Sequence, residues 1–351
     1  MNVDMERDDL SRYSRQSVLA EIGLDGQRRL RAAHAMIIGC GALGCPAADL
    51  LARAGVGLIT ILDRDVVEET NLQRQTLFQQ RDADERRAKA AAAAERLRAV
   101  NPDVRVEAMV EDLRSDNIEA ILRPHPRPGV LLDCTDNFRA RYLINDAAVK
   151  LNIPLIYGGA VGTTGMSMTI VPGVSACLRC VFDQPPTDGS GQSCELSGIL
   201  APISTLIGAV QASEAIKILC GRGDLASTAL LSVDLMRFAV RSVALTGAKR
   251  ADCPCCGLGR FEFLAQDEGE QRVLCGRGAV QIAGGGPVDL PALERRLSRL
   301  AKVTADEGVL HATLSNESIE GLTVFSDGRA IVRGTTDPAA ARAAYVKYVG
   351  A

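Results

Sequence analysis

Residues 37–44 read Ile-Ile-Gly-Cys-Gly-Ala-Leu-Gly, and the chain continues as CPAADLLARAG to residue 55 and LITILD at 58–63. The apolar run AMIIG (35–39) therefore meets three glycines in G-x-G-x-x-G spacing, Pro46 to Ala54 has helical spacing, and LITILD is a second β-rich apolar run. Strand, glycine turn, helix and strand in about thirty residues form a right-handed βαβ unit with parallel strands. In such a unit Gly39 permits the tight turn, Gly41 lets the backbone approach a phosphate, and Gly44 lets the helix pack on the strand. The free amides at the helix start favour an anion there. Asp63, nineteen residues beyond Gly44, ends the second strand, where an acid can hydrogen-bond a ribose hydroxyl. Alone, this fingerprint also suits an NAD-dependent oxidoreductase, so the nucleotide must be identified from its neighbours.

The alternation continues outward. KAAAAAERLRAV (89–100) is an alanine-rich helix that stops before Asn101-Pro102, VRVEAMV (104–110) is a strand, and VLLDCTD (130–136) a buried strand. RARYLINDAAVKLN (139–152) reads as helix and PLIYGGAVG (154–162) as strand plus glycine turn. Strands alternating with helices predict a doubly wound, Rossmann-like α/β fold on a mainly parallel sheet. DQPPTDGSGQS (183–193) is a mobile loop, and ISTLIGAVQASEAIKILCG (203–221) a long apolar helix for a core or subunit interface. AQDEGEQ is a plausible linker, which divides the chain into residues 1–265 and a small α+β module, 266–351. There VLCGRGAVQI is a strand, LPALERRLSRLA a helix, VLHATL a strand, and DPAAARAAYVKYVG a helix. A hairpin turning on Ser326-Asp327-Gly328-Arg329 is its firmest element.

With 351 residues, 47% of them hydrophobic, the chain can bury a full core; a net charge of -3 provides no basic footprint for nucleic acid. No apolar run reaches membrane-span length, and the polar start MNVDMERDDLSRY is unlike a secretory signal, so a cytoplasmic location is expected. There the eleven cysteines are thiols or metal ligands rather than disulfides. Cys177-Leu178-Arg179-Cys180 and Cys253-Pro254-Cys255-Cys256 form two C-x2-C pairs, which suit a closed, structural Zn²⁺ site on Cys177, Cys180, Cys253 and Cys256. Cys255 is the spare. Cys40, Cys45, Cys134, Cys220 and Cys275 fall in apolar segments as small hydrophobes, and His34, His125 and His311 have no companion spacing that assigns them a role.

Two polar motifs argue for phosphate chemistry. Asn71-Leu72-Gln73-Arg74-Gln75 follows the ribose acid closely, and a site that handles a triphosphate needs cations; Arg74, Lys89 and Arg15 (from SRYSRQ) are the candidates. Individually each is more often a solvated surface charge, so the three count only together. Asp133-Cys134-Thr135-Asp136-Asn137 ends a central strand, where carboxylates can share Mg²⁺ with substrate phosphates. Asp136 or Asn137 also suits a helix cap. Cys194, just past the loop in GQSCELSG, is either a nucleophile or an incidental surface thiol.

In this order, RYSRQ, GCGALG, LDRDVVEETNLQRQ, DCTDNFRARYLIND, CLRC, QSCELSGIL and CPCC resemble the ThiF/MoeB/HesA family over about residues 11 to 260. These are relatives of ubiquitin-activating enzymes that adenylylate the C-terminal glycine of small β-grasp sulfur-carrier proteins. The resemblance implies that Ala42 and Asp63 contact ATP, that Thr70, Asn71, Leu72, Gln73 and Arg74 line its phosphates, and that Arg74 and Lys89 balance charge. It further implies that Asp136 and Asn137 complete the ATP and Mg²⁺ site, and that Arg15 reaches the triphosphate, often from the neighbouring subunit of a homodimer. The four zinc cysteines match, as does Cys194, which forms a thioester or persulfide-type link in some members.

The chain departs from the family pattern in places. Arg86-Arg87-Ala88-Lys89 stands where members often have Gly-Arg-Pro-Lys, and Met166 stands where many are polar. The last module is too short for a rhodanese domain, and closing on Gly350-Ala351 rather than diglycine, the chain is not expected to be its own carrier. The expected activity is ATP-dependent adenylylation of a carrier ending in Gly-Gly, for sulfur transfer in cofactor, tRNA or metabolite synthesis. The competing readings are adenylylation of a small carboxylate or tRNA substituent, an NAD-dependent oxidoreductase, and a non-catalytic zinc-stapled binding module.

Overall fold

In the computed structural model, which describes residues 11–123, 126–185, 198–265, 271–274, 278–314 and 319–350, the apolar runs of the first half become neighbouring strands. They are β1 (His34–Ile38), β2 (Leu58–Leu62), β3 (Arg105–Met109), β4 (Val130–Asp133) and β5 (Leu155–Val161). They pair in parallel in the order β3-β2-β1-β4-β5. Three more strands, β6 (Thr164–Ile170), β7 (Ala229–Asp234) and β8 (Ala239–Ala244), extend the sheet antiparallel beyond β5. The sequence reading does not foresee these three, because β6 mixes glycine and polar residues with its apolar ones and β8 lies largely exposed on the sheet edge.

Every residue of β1, β2 and β4 is buried, as strands covered by helices on both faces must be. Alternate side chains sort into two layers. Ala35, Ile37, Ile59, Ile61 and Leu132 pack with helices Gly44–Ala54, Lys89–Val100 and Ala201–Leu219. Met36, Ile38, Leu62 and Leu131 face helix Phe138–Leu151 instead. Lys89–Val100 owes its helicity to five consecutive alanines and ends where Pro102 restricts Asn101. Helix Phe138–Leu151 begins on Asn137, whose side chain accepts from the Arg139 amide at 2.9 Å. Gln211, inside the apolar helix Ala201–Leu219, is fully buried because its amide donates to the carbonyls of Asp133 (2.8 Å) and Ile156 (3.0 Å), tying the helix to β4 and β5.

The second half of the expected architecture is an antiparallel sheet of β9 (Gln271–Leu274), β10 (Ala279–Ile282), β11 (Lys302–Asp306), β12 (Val309–Thr313), β13 (Gly321–Phe325) and β14 (Ala330–Arg333). Their order is β11-β12-β13-β14-β10-β9, covered by helices Leu290–Leu297 and Pro338–Tyr348. The stretch expected as one strand at 273–282 is two, with Ala279 opposite Leu274, so the chain reverses between them. The Asp-Gly turn forms as expected: Gly328 has φ +89° and its amide reaches the Phe325 carbonyl at 3.0 Å. Val309 and Phe325 belong to the same apolar cluster as the β1/β2 layer, so the second sheet packs on the first. Among the described residues no helix is long and apolar enough to cross a membrane.

Candidate active site

The glycine turn after β1 forms one wall of a cavity, which is also lined by Asp63 and Arg64 after β2, by Arg74, Gln75 and Lys89, and by Asp136, Asn137 and Arg141 after β4. Gly39 has φ +90°, and a Cβ there would stand 2.9 Å from the Cys134 carbonyl oxygen. A Cβ on Gly44 would stand 2.0 Å from the Gly39 carbonyl oxygen, whereas one on Gly41 meets nothing closer than Gln75 Nε2 at 3.8 Å. Two glycines are thus demanded by the turn, and the third keeps backbone open towards the cavity.

Asp63 is fastened from both sides: the Cys40 amide donates to Oδ2 at 2.6 Å and the Asp65 amide to Oδ1 at 2.8 Å. Burial raises its carboxyl above the ordinary carboxylate range, and Lys89 pulls it back. Lys89 itself is buried, 3.5 Å from Asp65 Oδ2. Arg74 donates to the Thr70 carbonyl at 2.8 Å, which closes the turn that carries it. Arg141 donates to the Thr135 carbonyl at 2.9 Å and to the Tyr157 hydroxyl at 3.2 Å. Burial pushes Asp133, at the end of β4, up to about 6 against the opposing pull of Arg141. Among the described residues Gln75 Oε1, Asp133 Oδ2 and Arg141 Nε are buried polar atoms without a protein partner. Such atoms are normally satisfied, and Gln75 and Arg141 line the cavity, where a polar ligand would meet them.

Of the residues expected at the nucleotide, Gly39, Gly41, Ala42, Asp63, Arg74, Lys89, Asp136 and Asn137 line this cavity. Gly44, Thr70, Asn71, Leu72, Gln73 and Arg15 do not. Asn71 is spent on the turn, where its Oδ1 accepts from the Glu68 amide at 3.1 Å, and Thr70 and Gln73 are exposed. Arg15 is exposed on the short helix Ser14–Ser17. Arg64, Gln75 and Arg141 were not singled out by sequence reasoning, although Gln75 closes the NLQRQ motif and Arg64 adjoins Asp63. Asn137 caps its helix, as the cap reading of DCTDN expects, and also lines the cavity beside Asp136. Cys194, Cys275 and His125 lie outside the described residues.

A second, mainly apolar cavity adjoins the first and shares Asp136, Arg141 and Ala160 with it. Phe138, Tyr142, Tyr157, Val161, Met166 and Phe182 supply most of its wall. It lies where the parallel part of the sheet gives way to the antiparallel part, at β5 and β6. The Sγ atoms of Cys177, Cys180, Cys253 and Cys256, none of which lines either cavity, lie within 4.8 Å of one another and could hold one metal ion. Four thiolates at about 2.3 Å from a tetrahedral ion stand about 3.8 Å apart. The Cys177–Cys180, Cys177–Cys253 and Cys180–Cys256 sulfur separations are 3.9, 3.6 and 3.3 Å, so the donor set fits. Cys255 is not one of the four; its Sγ accepts from Asn145 Nδ2 at 3.4 Å.

Comparison with known proteins agrees with this arrangement. The chain is 40% identical over 342 residues to the sulfur carrier protein ThiS adenylyltransferase of Bacillus subtilis, covering 97% of this chain and 99% of that one. It is 38% identical over 256 residues to the sulfur carrier protein adenylyltransferase of Thermus thermophilus, covering 72% and 92%. E. coli MccB, solved with ATP, shares the fold with a TM-score of 0.60 at 23% identity, over 70% of this chain and 74% of that one. The ThiF family profile matches residues 13–255, and the chain belongs to the ThiF family.

Proposed function

We propose that this protein is an ATP-dependent adenylyltransferase that activates the C-terminal glycine carboxylate of a small β-grasp sulfur-carrier protein ending in Gly-Gly. The observation that carries the reading is the meeting of a polar, glycine-walled cavity with an apolar one at Asp136, Arg141 and Ala160. A nucleotide suits the first and an extended peptide tail the second. The names of the relatives support the same substrate pair.

In the reaction, a carboxylate oxygen of the carrier attacks the α-phosphorus of ATP, the bond from that phosphorus to the bridging oxygen breaks, and pyrophosphate leaves. A carboxylate is already nucleophilic at neutral pH, so no general base is needed. Catalysis rests on alignment and on charge: amides of the glycine turn, Arg74 and Lys89 face the phosphates, and Asp63 holds the ribose. Mg²⁺, when bound, would neutralise phosphate charge, with Asp136 as its protein ligand. Arg141 lies where the carboxylate and phosphate meet. We assign Arg15 to the triphosphate of the neighbouring subunit in a homodimer; the exposed Val18 and Leu19 beside it support a contact surface there. The four clustered thiolates would hold a structural Zn²⁺, and the Cys194 thiolate would attack the acyl carbonyl of the adenylate, forming a thioester as the bond to AMP breaks and AMP leaves, ahead of sulfur transfer. The chain divides into an adenylylation domain, 1–265, and an accessory module, 266–351, and works in the cytoplasm, where its thiols stay reduced.

ATP–pyrophosphate exchange with candidate carriers tests the proposal. Exchange that requires a carrier with an intact terminal Gly-Gly is expected. Exchange without any carrier would overturn the substrate, and hydride transfer in its place would overturn the reaction.

A further inference from the structure

The second sheet does more than pack on the first: it grips the loops that wall the nucleotide cavity. Arg64 and Asp112 both line that cavity, and Arg64 Nη1 donates to Asp112 Oδ1 at 2.9 Å. Behind them Gln281 of β10, only 7% exposed, donates from Nε2 to the other carboxylate oxygen, Asp112 Oδ2, at 3.4 Å. Arg329, only 3% exposed, donates to the main-chain carbonyl of Arg64 at 3.3 Å. Its own guanidinium is fixed by Asp327 at 2.6 Å and by the Phe325 ring, whose centroid is 4.2 Å away.

The loop that leads to Lys89 is held in the same manner. Arg86 has φ +53°, a left-handed conformation rare for a residue with a side chain, and its carbonyl pairs with His311 Nε2 at 2.8 Å. Arg87, next in the chain, bonds Asp306 of β11 at 3.0 Å. The second sheet therefore touches the cavity wall at Arg64 and Asp112 and the loop just before Lys89, through the buried Gln281, Arg329 and His311 and the half-buried Asp306.

We propose that this face of the C-terminal module is a positioning clamp for the nucleotide site, in which Gln281 and Arg329 set Arg64 against the bound nucleoside triphosphate. The inference rests on the nucleotide reading above. A guanidinium recognises its ligand through a planar fork, so its orientation decides how many of its donors engage. Asp112 orients that fork, Gln281 orients Asp112, and Arg329 anchors the backbone from which the side chain departs. The module thereby removes freedom that nucleotide binding would otherwise have to remove.

The test is calorimetric binding of a non-hydrolysable ATP analogue to the full chain, with melting temperature followed in parallel. Gln281→Leu, which keeps bulk but removes the donor, and Arg329→Lys, which keeps the charge but shortens the reach, are each expected to weaken binding about three- to tenfold. Arg64→Ala weakens it at least as much. In the Arg64→Ala background neither Gln281→Leu nor Arg329→Lys adds a further loss, because they act through the same side chain. Unchanged affinity in the single variants, or losses that add in the double variants, would overturn the clamp. A lowered melting temperature with unchanged affinity likewise counts against it, since a purely structural role predicts that pattern. If one of the two variants fails to fold, the other carries the same comparison. Failure of the unaltered chain to bind the analogue refutes the nucleotide reading instead.

Discussion

The main-chain amide of Cys40 donates to Oδ2 of Asp63 across 2.6 Å, so the glycine turn and the acid at the end of the next strand form one unit. Asp63→Ala breaks that unit twice, removing a ribose acceptor and leaving the Cys40 and Asp65 amides unpaired. Hydrogen bonds to charged groups contribute about 1.5–3 kcal/mol, so the KM for ATP is expected to rise about tenfold to a hundredfold. Steady-state exchange kinetics with ATP as the varied substrate check this.

Arg74 donates to the Thr70 carbonyl and lines the cavity. Arg74→Ala should lower the exchange rate about a hundredfold or more, the size of effect seen when one transition-state charge stabiliser is removed. Its melting temperature should stay near that of the parent. An unaltered rate would remove Arg74 from the phosphates.

Arg141 belongs to both cavities, and Tyr157 and Thr135 hold its guanidinium in place. Arg141→Lys preserves charge but loses the planar fork. The expected result is a kcat loss of about tenfold or more with a smaller change in the KM for ATP. The reverse split would assign Arg141 to nucleotide binding alone.

Cys180→Ser removes one donor of the four-sulfur cluster. If that cluster holds a structural Zn²⁺, the variant purifies with less than one zinc per chain and melts well below the parent, because metal affinity is folding free energy. Cys255→Ser, outside the cluster, should retain the metal. Elemental analysis alongside calorimetry separates these outcomes.

His311 is held neutral by burial, which lowers its pKa to about 4 despite the Arg86 carbonyl beside it. In the unfolded chain it titrates near 6.5, so the unfolded state takes up a proton first as pH falls. The stability it contributes is complete above pH 6.5 and lost progressively below it, by about 2 kcal/mol at pH 5. His311→Gln should flatten the pH dependence of the melting temperature between pH 7 and 5.

The βαβ start, the acid that ends its second strand and the paired cysteines are legible because each is decided locally. Gly39 and Gly44 answer to atoms of their own turn and its neighbouring strand, and C-x2-C spacing fixes which sulfurs can converge. What escaped the sequence depends on distant contacts. Gln281 meets Asp112 across 169 residues, and neither residue type announces the other. The family resemblance draws all of Thr70–Arg74 to the phosphates; of these Arg74 lines the cavity, while Asn71 Oδ1 is engaged by the turn and Thr70 and Gln73 are exposed. At 273–282 the apolar pattern suits one strand as well as two, and only the pairing partner of Ala279 decides between them.

The cysteine cluster also has a temporal side. Cys177 and Cys180 precede the helix Ala201–Leu219 and the strands β7 and β8, while Cys253 and Cys256 follow them. A ribosome thus releases an open dithiol long before its partners exist, and the cluster can close only after the antiparallel edge of the sheet has been made. Closure of the four sulfurs thereby requires synthesis to have passed the last strand of the first sheet and reached Cys256.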